Sequence, residues 1–261
     1  MSILNMKYYY RLLPLLLFGL SHNFSFSQER VVTAGFQFKP IFSSKFFNTG
    51  PQELSWTAAY YDTVPQLIYK DSAFFKIVPQ SGYCVGMVIR KGLTETWSLE
   101  TGINFVRRNY ELQLNDSVVS ENILFKLVSY QIPLQGLVFI QLSDYIFMDV
   151  SMGMAVDFYP SDIATFGERF FHSSTRVSWM SSSVLANIGW EYRTEKNGYF
   201  YLGASYNRPF NSIMRSFFKR PNNDYGPEEY IDLRGNYLTL DLRYFFHSDP
   251  ERRKKKMKKK V

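Results

Sequence analysis

The chain has 261 residues, of which 18% are aromatic, with a formal net charge of +7 and one cysteine, Cys84. A single cysteine excludes an internal disulfide framework, and a mean hydropathy of −0.21 excludes a polytopic helical membrane protein. The charge does not indicate nucleic acid: residues 248–261 carry a net +6 and Lys7 with Arg11 another +2, so the body between is near neutral.

Residues 1–27 have the layout of a signal peptide. Lys7 and Arg11 precede an apolar run over Leu12–Leu20, and Ser25-Phe26-Ser27 forms a small-x-small cleavage site. The exported body at 28–247 then reads as eight strands by period-two alternation. They cover about 31–39, 82–90, 97–110, 124–142, 145–157, 177–192, 199–207 and 236–246. Pro133 is expected to mark a bulge or bend. The connections alternate in length. "KGLT", "SD" and "TEKNG" are short turns, whereas 40–81, 113–123, 158–176 and 208–235 are long. Such sorting suits a membrane barrel, with short turns at the periplasmic rim and long loops outside.

The strands share one division of faces. Ile146, Met148, Val150, Met152 and Met154 oppose Asp149, Ser151, Gly153 and Asp157, and Leu238, Leu240 and Leu242 oppose Thr239, Asp241 and Arg243. In a bilayer the apolar face points outward. Lys39, Arg90, Glu100, Arg108, Asp149, Asp157, Glu191, Asp241 and Arg243 are then predicted to fill a narrow lumen, paired as a plug. Gly35, Gly86, Gly102, Gly153, Gly189 and Gly203 share the polar parity and are expected to make room there for larger neighbours. Trp97, Tyr145, Trp190, Tyr192, Phe200, Tyr244 and Phe246 lie near the short turns and are assigned to a periplasmic aromatic girdle. The predicted fold class is all-β: an eight-stranded antiparallel up-and-down transmembrane barrel, with ten strands as an alternative. The predicted location is the cell outer membrane.

The phrases "AGFQFKPIF", "LETGINFVRRNY" and "GWEYRTEKNGYFYLGASYNRPF" resemble the PorT-like outer-membrane β-barrel proteins of the Bacteroidota. That resemblance implies a small barrel, and its family includes a member linked to protein secretion across the outer membrane. The basic tail after Phe246 departs from the usual pattern, in which the final aromatic lies close to the chain end.

No metal spacing, phosphate-binding glycine loop or nucleophile elbow occurs, and no cofactor is expected. A hydrolase would need His172 beside a serine such as Ser173 or Ser183. The simpler expectation is an exposed loop histidine in a non-enzymatic barrel. A narrow channel is the other alternative. The aromatic-rich loops 41–80 and 208–235 are candidate partner surfaces. The partners expected are outer-membrane lipid, a protein at those loops, and an anionic periplasmic group for the tail at 248–261.

Overall fold

The computed structural model describes residues 32–42, 52–61, 68–94, 96–116, 120–167, 171–194, 198–219 and 229–246. The segment 1–27, expected from sequence to be a signal peptide, and the basic stretch 248–261 lie outside the described residues. All regular structure within them is β. The strands are β1 (Val32–Phe42), β2 (Gln52–Tyr61), β3 (Ile68–Gly92), β4 (Trp97–Asp116), β5 (Ser120–Gln141), β6 (Ile146–Phe158), β7 (Ile163–Phe166), β8 (Phe171–Arg176), β9 (Met180–Arg193), β10 (Tyr199–Pro209), β11 (Met214–Lys219), β12 (Glu229–Leu233) and β13 (Tyr237–Phe245).

Eight of them close a barrel in the order β1-β13-β10-β9-β6-β5-β4-β3, with β3 pairing back onto β1. Every ladder is antiparallel. β1 sets Phe36 opposite Tyr244 on one side and Ala34 opposite Ile89 on the other. Closure leaves no free edge in this ring.

One rim is made of tight turns. Leu93 and Thr94 donate to the Trp97 carbonyl, and Leu142 and Ser143 donate to that of Ile146. Thr194 donates to the Gly198 carbonyl at 3.1 Å. Gly198 has φ 89, a left-handed conformation in which a side chain is strained.

At the opposite rim the segments predicted to be long loops are mostly strand. β4 and β5 run through the supposed loop 113–123, and their ladder continues to Asn115 opposite Ser120. β2 and the far half of β3 occupy most of 41–80. β7 and β8 lie in 158–176, and β11 and β12 in 208–235. The last four form a second sheet, β12-β11-β8-β7, with β7 beside β5 and β12 beside β2. The barrel itself thus has eight strands; the additional ones build a distal tier above it.

Two sequence irregularities act differently. Between Gln80 and Tyr83, β3 carries one residue more than β4 opposite, a β-bulge. It reverses the facing of β3: Phe75 and Ile77 point inward above it, Cys84, Val88 and Arg90 below. Pro133 does not produce the predicted bulge. The β4–β5 register is unchanged across it, and the ladder is only interrupted there, because proline has no N–H to donate. Its carbonyl accepts from Thr101 Oγ1 at 2.8 Å.

Candidate functional site

The membrane tier is inside-out relative to a soluble protein. Phe36, Met87, Ile103, Leu134, Met152, Ile188 and Leu240 are exposed, while Glu100, Asp149, Asp157, Glu191 and Asp241 are at most 2% exposed. From Trp97 to Phe105, β4 advances about 26 Å, or about 20 Å along the normal at a tilt of about 40°, close to the apolar band of about 25 Å of outer-membrane barrels. Apolar side chains spend no free energy facing hydrocarbon, whereas charges facing it are costly. The chain is a transmembrane β-barrel of the outer-membrane type.

Inside, parity brings the charges to the lumen and register decides who meets whom. Lys39 Nζ lies 2.8 Å from Asp241 Oδ2, and Arg243 Nη2 donates to the same oxygen at 2.7 Å. Arg243 Nη1 donates to Glu100 Oε1 at 2.6 Å. Glu100 Oε2 accepts from Arg90 Nη2 at 3.1 Å, and Arg90 Nη1 donates in turn to Glu191. Arg193 completes the series at 2.6 Å from Glu191. This chain crosses the lumen from β1 and β13, through β4 and β3, to β9. Asp149 sits 3.6 Å from Arg90, beyond hydrogen-bond reach, and neither of its oxygens has a partner among the described residues.

Neutral groups hold the remaining carboxylate lone pairs. Asp241 also accepts from Asn187 Nδ2, Ser205 Oγ and Thr239 Oγ1 at 2.9, 2.7 and 2.6 Å. Asp157 accepts from Ser183 Oγ at 3.0 Å and Gln131 Nε2 at 3.2 Å, with Arg108 3.6 Å away. The guanidinium of Arg90 lies 4.1 Å from the centroid of Phe245, and that of Arg108 4.8 Å from that of Tyr237, so the lumen aromatics share the cations. All six mid-strand glycines fall on the lumen side of their strands. At Gly189 and Gly203 the reason is visible: any Cβ would collide with the Tyr201 hydroxyl.

Above Arg108 the interior changes. Tyr110, Leu112 and Leu114 of β4, Phe125 and Leu127 of β5, and Phe75 and Ile77 of β3 pack against Met214, Phe218, Ile231 and Leu233 of the second sheet. This dry core fills the barrel's distal mouth. Sequence reading missed it, because its outward companions Glu111, Gln113 and Asn115 look like loop residues. The alternation of Leu112 and Leu114 with them was the available signal.

His172 belongs to this core. It is 1% exposed, not the exposed loop histidine expected from sequence. Its Nδ1 is 2.9 Å from Thr165 Oγ1 and its Nε2 2.9 Å from Ser174 Oγ, which in turn bonds Ser216 Oγ at 2.5 Å. Its ring stacks on Phe218 at 5.3 Å. Burial pushes the imidazole down to about 4, so it is neutral at pH 7. The serine it meets is neither Ser173 nor Ser183; Ser183 faces the lumen and bonds Asp157. Ser174 and Ser216 are fully buried, so no substrate reaches this serine–histidine contact in the structure.

The seven aromatic residues assigned to the girdle all lie on the outer surface. Trp97, Tyr145, Trp190, Tyr192, Phe200 and Phe246 are exposed and Tyr244 half-buried. Tyr145 and Tyr192 are 6.5 Å apart, Phe200 and Tyr244 5.0 Å, and Tyr244 and Phe246 5.5 Å. A second ring lies below the distal tier: Tyr83, Phe105 and Tyr130 neighbour one another at 6.2 and 6.0 Å, and Phe158 and Trp179 at 5.7 Å.

No protein-family model matches the chain, and no curated protein matches it. Solved structures similar to it include the outer membrane protein OprG from Pseudomonas aeruginosa, at 11% identity and a TM-score of 0.47, covering 84% of this chain and 96% of that one. The translocator domain of the autotransporter NalP from Neisseria meningitidis is similar at 12% identity and a TM-score of 0.36, covering 94% and 96%. The outer membrane protease OmpT from Escherichia coli is similar at 11% identity and a TM-score of 0.35, covering 86% and 99%.

Proposed function

We propose that this chain is a non-enzymatic, non-conducting outer-membrane barrel that works through its surfaces, as an interaction, assembly or secretion-associated component. The observation that carries this reading is the double closure of the interior. Ion pairs cross the lumen at the level of Glu100, and a dry apolar core fills the mouth at the level of Leu112. A water-filled path would need both to open. The tight-turn rim faces the periplasm and the distal tier faces outward, following the usual sense of such barrels.

The resemblance to PorT-like barrels supports a role beside a secretion apparatus. The protein partner meets the distal tier, within 41–80 and 208–235. The tail at 248–261 is periplasmic and meets an anionic group there. Planar-bilayer recordings test the central claim. Insertion without a resolvable unit conductance is expected, and a steady, reproducible conductance step from the purified chain would overturn it.

A further inference from the structure

We infer that a groove on the outer wall, just above the second aromatic ring, binds the phosphate of an outer-leaflet lipid headgroup. The groove, of about 820 Å3, lies between the outward face of β3–β5 and the edge strand β7. Arg107 stands one outward position above Phe105 on β4, with its guanidinium 5.9 Å from the Tyr83 ring. Lys126 stands two outward positions above Tyr130 on β5. Asn109 pairs directly with Lys126 and Arg107 with Val128, so the two basic residues are diagonal neighbours on adjacent strands, with Cα atoms about 7–8 Å apart. Aromatic rings of this kind settle at the boundary between acyl chains and headgroups, so both cations sit at phosphate height.

Charge complementarity selects an anion. Of the groove's two carboxylates, Asp162 is paired with a cation and Glu111 keeps its single negative charge, so beside Arg107 and Lys126 the groove stays net positive. Glu111 accepts from Gln80 Nε2 at 2.7 Å and from Gln113 Nε2 at 3.4 Å. Asp162 accepts from the Arg176 backbone at 2.9 Å and pairs with its guanidinium at 3.5 Å. Neither cation is paired with a carboxylate among the described residues. Arg107 uses only Nε, donating to Asn109 Oδ1 at 3.1 Å, and Lys126 meets no acceptor among the described residues. Asn109 also donates to the Ser81 carbonyl at 2.6 Å, which ties the bulge of β3 to the arginine. The guanidinium is thereby held with its terminal nitrogens free for a bidentate phosphate contact, and Lys126 adds a second charge. Outside the membrane-facing wall this pair would be ordinary solvated charge; its height makes it a headgroup site.

The inference rests on the outward placement of the distal tier proposed above. The test uses the full chain folded in detergent and incubated with diphosphoryl lipid A, with retained lipid counted by native mass spectrometry. Arg107→Gln with Lys126→Gln is expected to lower retention at least tenfold. Arg107→Lys is expected to lose only part of it, and Arg215→Gln, elsewhere on the distal tier, none. Either Gln substitution alone is expected to lower it several-fold, which keeps the test valid should the double variant fail to fold. Dephosphorylated lipid A is expected to be held no better by the wild type than diphosphoryl lipid A is by the double variant. Equal retention by wild type and double variant overturns the site, as does equal retention of the two lipids. Inorganic phosphate binding as tightly overturns the lipid as its source. Failure of a membrane-impermeant maleimide to label Arg215→Cys on intact cells instead rejects the outward placement, on which lipid retention in detergent does not depend, so the two failures are distinct.

Discussion

Strand β4 passes through two solvents without turning over. From Ser98 to Arg108 its inward residues are polar or glycine apart from Val106 and its outward ones mostly apolar; from Tyr110 to Leu114 the inward residues are apolar, and from Arg107 to Asn115 the outward ones are polar. The parity is constant and the chemistry exchanges sides within one turn of the pleat. The membrane tier is held by ion pairs and hydrogen bonds around a lumen, since hydrocarbon offers its outer face no hydrophobic gain. The distal tier is held by apolar burial, as in a water-soluble sandwich. One strand therefore carries two folding logics, and each can be broken separately.

The largest effect is expected at Arg90. It pairs with Glu100 and Glu191 and lies 3.6 Å from Asp149. Arg90→Met removes the one cation beside Asp149 and leaves Glu100 and Glu191 with a single arginine each, in a low-dielectric lumen, a loss of about 3–5 kcal/mol. The temperature at which the heat-modifiable form is lost should fall sharply, while amide-exchange protection in β11 and β12 changes little. An unchanged transition would mean that water reaches the lumen and screens these charges.

A smaller pair of substitutions tests the exchange of faces directly. Ile103 and Gln113 lie on the same side of β4, one in each tier. Ile103→Arg puts a charge into hydrocarbon one outward position below the Phe105 ring and should cost about 1–3 kcal/mol, between the midplane and interface values. Gln113→Arg, at the water-facing surface, should stay within about 0.5 kcal/mol. Urea titration of the folded barrel reads both. Equal costs would place the bilayer boundary above Gln113 and erase the distinction between tiers.

That boundary also explains what the sequence made legible. All eight barrel strands are readable, because each presents an apolar face and a polar face at period two. The division of Leu238, Leu240 and Leu242 from Thr239, Asp241 and Arg243 assigns the lumen without coordinates. The far halves of β3 and β4 are not readable by the same rule. Their polar residues point outward, so a reader who expects charge in the lumen takes Glu111 and Gln113 for a loop. The bulge at Gln80–Tyr83 hides β3 further by changing its parity midway. β7, β8, β11 and β12 have four to six residues each, too short for alternation to stand out. His172 looked like a loop residue for that reason. Sequence also named the lumen charges without their partners. Glu100 meets Arg243 across 143 residues, and register that distant is set by closure of the ring rather than by any local pattern.

Acid should loosen the distal tier selectively. His172 is held neutral by burial, with its folded value lowered from 6.5 to about 4. Between these values the unfolded tier binds the proton and the folded one does not, so stability rises with pH in that window. The contribution is complete above about pH 6.5 and is lost as pH falls toward 4. It amounts to at most about 3 kcal/mol. Proteolysis within 208–235 is the readout, and it should accelerate below pH 5 in the wild type. His172→Phe removes the titrating group and should flatten that dependence. A variant as acid-sensitive as the wild type would assign the loosening to the carboxylates of the membrane tier instead.

The finest distinction concerns how far the lumen behaves as a packed interior. Tyr201 donates to Asn187 Oδ1 at 2.5 Å, covers Gly189 and Gly203, and carries the Arg243 guanidinium 4.6 Å from its ring centroid. Tyr201→Phe keeps the ring and deletes one hydrogen bond. Asn187 still donates to Asp241, so only its Oδ1 loses a partner. The expected cost is about 1 kcal/mol, the ordinary net worth of such a bond, read as a small fall in the urea midpoint. A loss of about 3 kcal/mol would show that the network acts as one unit, with the hydroxyl fixing Asn187 and through it Asp241 and Arg243. No measurable loss would show that water replaces the phenol, and the membrane tier would then be a wet lumen rather than a second kind of core.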